Sequence, residues 1–415
     1  MITIKEKFDY LTRNTWPNEA TSPVVKGDGI YFWDENNKKY MDFSSQTLNL
    51  LLGQCYPAIV EALTEQIKTL TYASSRFGSS AYLEAAKRIV RVAPKGFTRI
   101  NIKMCDGSDA NETALKTAKK FTGKPGVISF HKAHTGQTTQ TLHVRGYARD
   151  ERTLLGSTED VTFISPPSCQ EKGDYKHSLK EFEEVITKHG GIGAVLVDPM
   201  MVNAGVLVNE ETSAYLKGIE ALCHRYNVMF ILDENQSFGW VPGIFAANYY
   251  DISPDIITLG KGLSSGHPLA GVLVKEKYKE ALDYNEADFT HGGHVLTCRA
   301  AATTIETLET VDFHLLEKEK KIESEIRDLQ SKANFPLIHR GVGLIHGLEF
   351  ATEDEERNSV MANSIFETAL RKGLFLRKYN NKIILKPPVI VSEEEIEKAF
   401  AILSSSFKEE GLLLN

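Results

Sequence analysis

From about Arg99 to Val274 the chain alternates short runs of β-branched and apolar residues with segments of helical periodicity. The runs are Ile100–Met104, Gly126–His131, Val161–Ile164, Ala194–Val197, Val228–Leu232, Ile256–Leu259 and Gly271–Val274. Most carry apolar side chains at successive positions. A strand reads that way when both faces of its sheet are covered. The pattern predicts an α/β fold on a large, doubly wound, mostly parallel seven-stranded sheet. Ligands of such sheets sit at the carboxyl ends of the strands.

The flanks differ. Up to about Val60 there are strand-like pieces, Ile30–Trp33 and Lys39–Phe43, between turns. After about Ala300 a helix-rich stretch carries charges at helical spacing from His314 to Ala333. Strand candidates Gly347–Phe350 and Lys382–Leu385 follow, then a final helix from Glu393. The two ends read as one smaller α+β domain, residues 1–60 and 301–415, around a large domain at 61–300. A length of 415 residues fits that division.

Bulk composition narrows the partners. Net charge is −7 from 48 basic and 55 acidic side chains, with no long basic run. Nothing there supports a nucleic-acid or anionic-membrane partner, and no apolar stretch is long enough to span a bilayer. The start, Met1–Asp9, lacks a hydrophobic signal core, and its acidic residues argue against a mitochondrial leader. The five cysteines are scattered and never in CxxC spacing, which fits reduced thiols in a cytoplasm.

The chemistry lies at two strand ends. The run Val228–Leu232 ends in Asp233, and Ile256–Leu259 ends in Gly260-Lys261-Gly262. A lysine just past a strand is ordinarily a solvated loop residue. A lysine and a carboxylate at the ends of two buried strands suit a cofactor that needs an imine partner and a buried anion. Pyridoxal phosphate is such a cofactor. Asp233 would keep its pyridine nitrogen protonated, and Gln236 could hydrogen-bond its ring hydroxyl. A metal-ligand pair or a helix cap is the plainer reading of Asp233-Glu234, although no histidine follows at ligand spacing.

Cys105 to Glu112 opens a helix running to Phe121, which Gly123 and Pro125 would stop. Ser108 reads as its N-cap, and Gly107 lets backbone approach a ligand. This helix start suits a phosphate if Asp106 and Asp109 point elsewhere; a simple cap is the alternative. Phe289 to His294 precedes another helix, from near Leu296. Its two histidines permit a metal, but threonine with glycines better fits a phosphate-binding turn.

These segments, in this order, resemble the class III (ornithine/omega-amino-acid type) aminotransferases of pyridoxal-phosphate fold type I. The resemblance starts at Gly27-Asp28-Gly29 through Asp34 and continues through Met41-Asp42-Phe43 and Gly107 to Glu112. It takes in Asp198-Pro199, Asp233-Glu234, Pro254 to Pro268, Thr290 to Gly293 and Pro387-Pro388. It implies that Lys261 condenses with the cofactor aldehyde, then moves the proton between Cα and C4′ as general base. It assigns Asp233 to the pyridinium nitrogen, Gln236 to the ring hydroxyl, and Gly107 and Ser108 to the phosphate. Thr290 would reach the phosphate of the neighbouring subunit, which implies a homodimer with shared active sites.

The departures from the family bear on substrate. His134 stands where Tyr or Phe stacks on the ring; an imidazole stacks, but it also titrates. The run from Asp233 to Gly243 lacks the usual arginine, Gly292-Gly293-His294-Val295 replaces "GGNP", and Gln54 replaces a common histidine. Ile384 replaces the arginine that ornithine-type relatives carry before the paired prolines, and Asn203 their gating glutamate. Arg377, ten residues before Pro387, matches the mobile arginine of amine:pyruvate-type relatives. It could bind a carboxylate and then swing aside, or be a solvated loop residue. Leu48 stands where that subgroup often has a tryptophan, giving a roomier wall.

The implied activity is transfer of an amino group from an amine or omega-amino donor to a keto acid or aldehyde, by a ping-pong mechanism. A racemase or epimerase of the same family would use the same Lys261. A colourless nucleotide-binding protein is the third reading, and the absence of GxGxxG after the first strand counts against it.

Overall fold

A computed structural model describes residues 12, 22–147, 156, 160–169 and 172–414; the Met1–Asp9 leader reading lies outside them. The strands are β1 Val24–Asp28, β2 Tyr31–Asp34, β3 Lys39–Asp42, β4 Phe97–Met104 and β5 Gly126–Phe130. They continue with β6 Val161–Ile164, β7 Ile192–Val197, β8 Met229–Asp233, β9 Ile256–Leu259 and β10 Ala270–Lys275. The last are β11 Leu337–Val342, β12 Ile345–Phe350, β13 Leu374–Phe375, β14 Arg377–Tyr379 and β15 Lys382–Leu385.

The seven-stranded sheet runs β4-β10-β9-β8-β7-β5-β6. Its β6, β5, β7, β8 and β9 pair in parallel, and β10 alone reverses, antiparallel to both β9 and β4. The apolar runs follow from burial: every residue of β5, β7, β8 and β9 is buried. The two edge strands are only partly so. Successive strand residues point to opposite faces. Accordingly Val127, Leu196, Met229 and Ile231 join Ala110, Ala114 and Ala118 of the Gly107–Thr122 helix in one apolar cluster. Their neighbours Ile128, Val195, Phe230 and Leu232 join the larger cluster on the other face. Two covered faces make this a doubly wound α/β fold.

Among the described residues two smaller sheets accompany the large one. In β1-β2-β3-β13, β13 pairs in parallel with β3, Leu374 opposite Met41, so the two ends of the chain share one sheet. The order β11-β12-β15-β14 is antiparallel and sets Arg377 directly across from Ile384. Strand β1 escapes notice in the sequence because four of its five residues are exposed and no alternation marks it. Among the described residues no helix is long and apolar enough to cross a membrane.

Candidate active site

The carboxyl ends of β8 and β9 deliver Asp233 and Lys261 to one cavity of about 600 Å³. Its lining includes Gly107, Ser108, Asn111, His134 and Gln236. Lys261 opens a short 3₁₀ turn after Gly260, and its φ of 31° lies in the region that non-glycine residues avoid. Such strain persists where surrounding structure fixes it, commonly at functional positions. Gly262 is required behind it, since a Cβ there would meet Trp240 Cζ3 at 2.6 Å. Burial lowers the Lys261 pKa, against the opposing pull of Asp233, Asp198 and Asp106; Arg377 lowers it further.

Asp233 is 4% exposed, and N–H groups hold both of its oxygens. Asn111 Nδ2 donates to Oδ2 at 2.7 Å. The backbone N–H and Nδ2 of Asn235 donate to Oδ1 at 2.9 and 2.7 Å. Burial pushes the carboxyl up, and the Asn111 bond, first among the opposing effects, pulls it back toward the anion. Asn111 is itself locked in place. Its Nδ2 also donates to Thr135 O at 2.8 Å, and its Oδ1 accepts from Thr258 Oγ1 at 2.7 Å. The buried Asp198 sits nearby, raised to about 6 by burial first and Asp233 second, and steadied by the N–H groups of Met200 and Met201.

The Gly107–Thr122 helix starts differently from the sequence expectation. Its N-cap is Asp106, not Ser108: the Asp106 carboxylate accepts from Ser108 N at 2.6 Å and Asp109 N at 3.3 Å. Asp109 turns back to the N–H groups of Cys105 and Asp106, closing a capping box. An aspartate bonds two N–H groups of the first turn more strongly than a neutral serine, which moves the start two residues earlier. Asp109 therefore points elsewhere, as required, but Asp106 does not. Gly107 N–H and the Ser108 hydroxyl proton remain for an anion, Ser108 Oγ being an acceptor for Gln137 N at 3.2 Å. Gly123, at φ 67°, ends the helix where expected.

His134 lies in the cavity wall with Nδ1 2.5 Å from the Tyr147 hydroxyl. Burial first, then the charges of Lys261, Arg145 and Arg377, lower its pKa to about 4, so this ring stays neutral at physiological pH. Gln236 Nε2 donates to Asn203 Oδ1 at 3.2 Å, and Asn203 lines an adjoining cavity of about 650 Å³. Arg377 Nε donates to the Tyr379 hydroxyl at 3.3 Å, and Tyr379 lines that same cavity. Leu48 is buried and is not part of the wall; its neighbours Thr47 and Asn49 are. Thr290 sits on an exposed turn away from this protomer's cavity, its carbonyl accepting from the Tyr72 hydroxyl at 2.9 Å.

These residues fit pyridoxal phosphate. A buried anion held by N–H groups suits a pyridinium, and a depressed lysine suits an aldehyde. Among the described residues the buried acceptor Asn235 Oδ1 has no partner, and a Cβ on Gly107 would come within 2.6 Å of it. Among the described residues no group of three or more His, Cys, Asp or Glu side chains could hold a metal ion. Sequence reading gave Asn111 and Asn235 no role. A signal existed for Asn111, a polar residue between Ala110 and Ala114 on the buried side of its helix.

Fold and site together define a pyridoxal-phosphate enzyme of fold type I. The chain belongs to the class-III aminotransferase family, whose model matches residues 14–407. It is 30% identical over 397 residues to the acetylornithine aminotransferase of Methanocaldococcus jannaschii, covering 93% of each chain. It is 27% identical to the (R)-1-hydroxy-2-aminoethylphosphonate ammonia-lyase of Vibrio splendidus, covering 97% of this chain and 89% of that one. Among solved structures it is similar to taurine:2-oxoglutarate aminotransferase from Bifidobacterium kashiwanohense, in complex with pyridoxal phosphate and glutamate. That likeness has a TM-score of 0.90 and 26% identity, covering 98% of this chain and 97% of that one. The protein is a pyridoxal-phosphate-dependent aminotransferase.

Proposed function

We propose that the amino donor is an amine whose far end carries an acid, that the acceptor is a keto acid, and that Arg377 reads the acid in both. The observation that carries this is the state of the guanidinium. Among the described residues it has no carboxylate partner, yet its charge acts on both His134 and Lys261. An unpaired guanidinium beside a cavity is a ready receptor for a carboxylate, sulfonate or phosphonate. Arg377 and Ile384 are cross-strand partners. Such partners project to the same face of a sheet. A cation lost at one position is thus supplied from the strand beside it. The named substrates of the relatives also pair an amine with an acid.

Bound pyridoxal phosphate supplies the electron sink. Lys261 is the base that takes and returns the substrate proton, and Asp233 holds the ring nitrogen's proton. Gly107 and Ser108 hold the phosphate, joined by Thr290 from the partner protomer of a homodimer. His134 stacks on the ring and Gln236 meets its hydroxyl oxygen. Asn203 shapes the outer pocket, and Thr47 and Asn49 replace Leu48 as its near wall. Both ends of the chain form a small domain on the large one. The free cysteines fit a cytoplasmic protein.

The test is a donor screen on purified holoenzyme, reading loss of the yellow band and then its return with a keto acid. Arg377→Ala should cut kcat/KM for acid-bearing donors by roughly 30-fold or more, the cost of an unpaired charge contact, and spare neutral amines of equal length. Equal losses for both would reject the assignment. Ammonia release without an acceptor would indicate lyase chemistry instead.

A further inference from the structure

Lys386 is a second buried lysine beside the cavity, and the mechanism above does not use it. It is 0% exposed. Its Nζ donates to Leu48 O at 2.9 Å, lies 3.5 Å from Gln236 Oε1, and stands 3.6 Å from the centroid of the Trp240 ring. Among the described residues no carboxylate pairs with it; the charges acting on it are those of Lys261 and Asp198. Its backbone is pinned as firmly, with N donating to Phe43 O at 2.8 Å and O accepting from Ser45 Oγ at 2.6 Å. A buried amine with no counter-ion is costly and calls for a reason.

The reason lies in Gln236. Gln236 and Asn203 face each other through their amides, and such a pair can reverse together without losing its hydrogen bond. Lys386 breaks that symmetry: burial holds its pKa well below the usual lysine range, and its Nζ, besides the N–H given to Leu48 O, offers a further N–H toward Gln236 Oε1. Next to Lys386, Gln236 turns its oxygen toward the lysine and its NH₂ toward Asn203 and the cavity. We propose that Lys386 is a positioning residue that fixes Gln236 as a hydrogen-bond donor to the ring oxygen of the cofactor. This rests on the reading that Gln236 meets that oxygen. A reversed amide would present its own oxygen to a negatively charged one. The same lysine also ties down the Ser45–Leu48 strap, where Ser45, Gln46 and Leu48 have φ of 45°, 59° and 65°. Removing it therefore has a merely structural consequence that the test must separate.

A donor on the ring oxygen draws off negative charge that would otherwise retain the chromophore's proton. It lowers the pH midpoint of the visible absorbance of the holoenzyme. Lys386→Met should raise that midpoint by about 1–2 pH units, the worth of one hydrogen bond to a charged oxygen. Gln236→Leu should raise it similarly, and the double variant no further. Loosening of the strap alone would lower the melting temperature and leave the midpoint in place, which overturns the proposal. So does a shift of equal size on the Gln236→Leu background, since that is Lys386 acting through space. An unmoved midpoint in Gln236→Leu itself removes the underlying reading and the proposal with it. Should Lys386→Met fail to fold, Lys386→Gln decides. Its amide can still donate to Leu48 O but can also reverse, so an intermediate rise is expected and no rise refutes.

Discussion

Asn111→Ala separates the support of the catalytic carboxylate from the carboxylate itself. In the native site Asn111 Nδ2 lies 2.7 Å from Asp233 Oδ2, with both side chains buried. A hydrogen bond to a charged group is worth about 1.5–3 kcal/mol, so its loss should raise the Asp233 pKa by about 1–2 units. Catalysis needs the ionised form, because only an anion holds the ring nitrogen protonated. A raised pKa means the anion is lost at a higher pH. The acid limb of the kcat/KM profile should therefore move up by about 1–2 pH units, with the alkaline plateau nearly unchanged. Stability falls as well, since Thr135 O loses its donor and Thr258 Oγ1 its acceptor; among the described residues the Thr258 hydroxyl then keeps the 3.4 Å contact with Asn235 Nδ2. Two orphaned buried groups cost about 2–6 kcal/mol, visible in a melting curve. A destabilised variant whose acid limb stays in place would refute the reasoning, since Asn111 would then be structural only.

Further outcomes follow from neighbouring residues. Asp106→Asn keeps a capping side chain but removes a negative charge beside the phosphate position, so the cofactor dissociation constant should fall by about tenfold at low salt and less at high salt; an unchanged constant would show that Asp106 turns away on binding. His134 should show no ring protonation by NMR until the pH falls to about 4. Accordingly His134→Phe should leave the midpoints of the activity profile unmoved, and a lost limb near pH 6.5 would contradict the burial argument. If Thr290 serves the partner's site, Lys261→Ala and Thr290→Ala protomers mixed into hybrid dimers should regain one intact site in two. No regain would place Thr290 in its own protomer's site.

The middle strands of the large sheet were legible because burial on both faces leaves a run of apolar residues, as in Met229–Asp233. The short β13 and β14 were not, because their pairing partners rather than their own residues make them strands. Lys261 and Asp233 stood out because each ends such a run. Lys386 did not, because lysine is by default a surface residue. Its partners Leu48 and Trp240 are distant in sequence, so nothing local marks it as buried. The Asp106 cap was missed by two residues because Asp106 and Ser108 both suit an N-cap in the sequence, and only the fold shows which side chain reaches the first-turn N–H groups. Leu48 was placed on the pocket wall by its match to the tryptophan position of amine:pyruvate-type relatives; its side chain is buried, and Thr47 and Asn49 line the cavity.

The pairing of β3 with β13 sets a timetable for synthesis. Met41 leaves the ribosome about 330 residues before its partner Leu374, a delay of tens of seconds at ~5–20 residues per second. Every strand of the large sheet lies at or before Lys275, so its hydrogen-bonded ladder is free to form in that interval. Strand β3, meanwhile, waits with a bare hydrogen-bonding edge, the kind of edge that recruits other chains. Lys386 arrives later still, so the catalytic pocket is among the last parts to close. Chains cut short before Leu374 should therefore be lost to aggregation or proteolysis rather than persist as inactive enzyme.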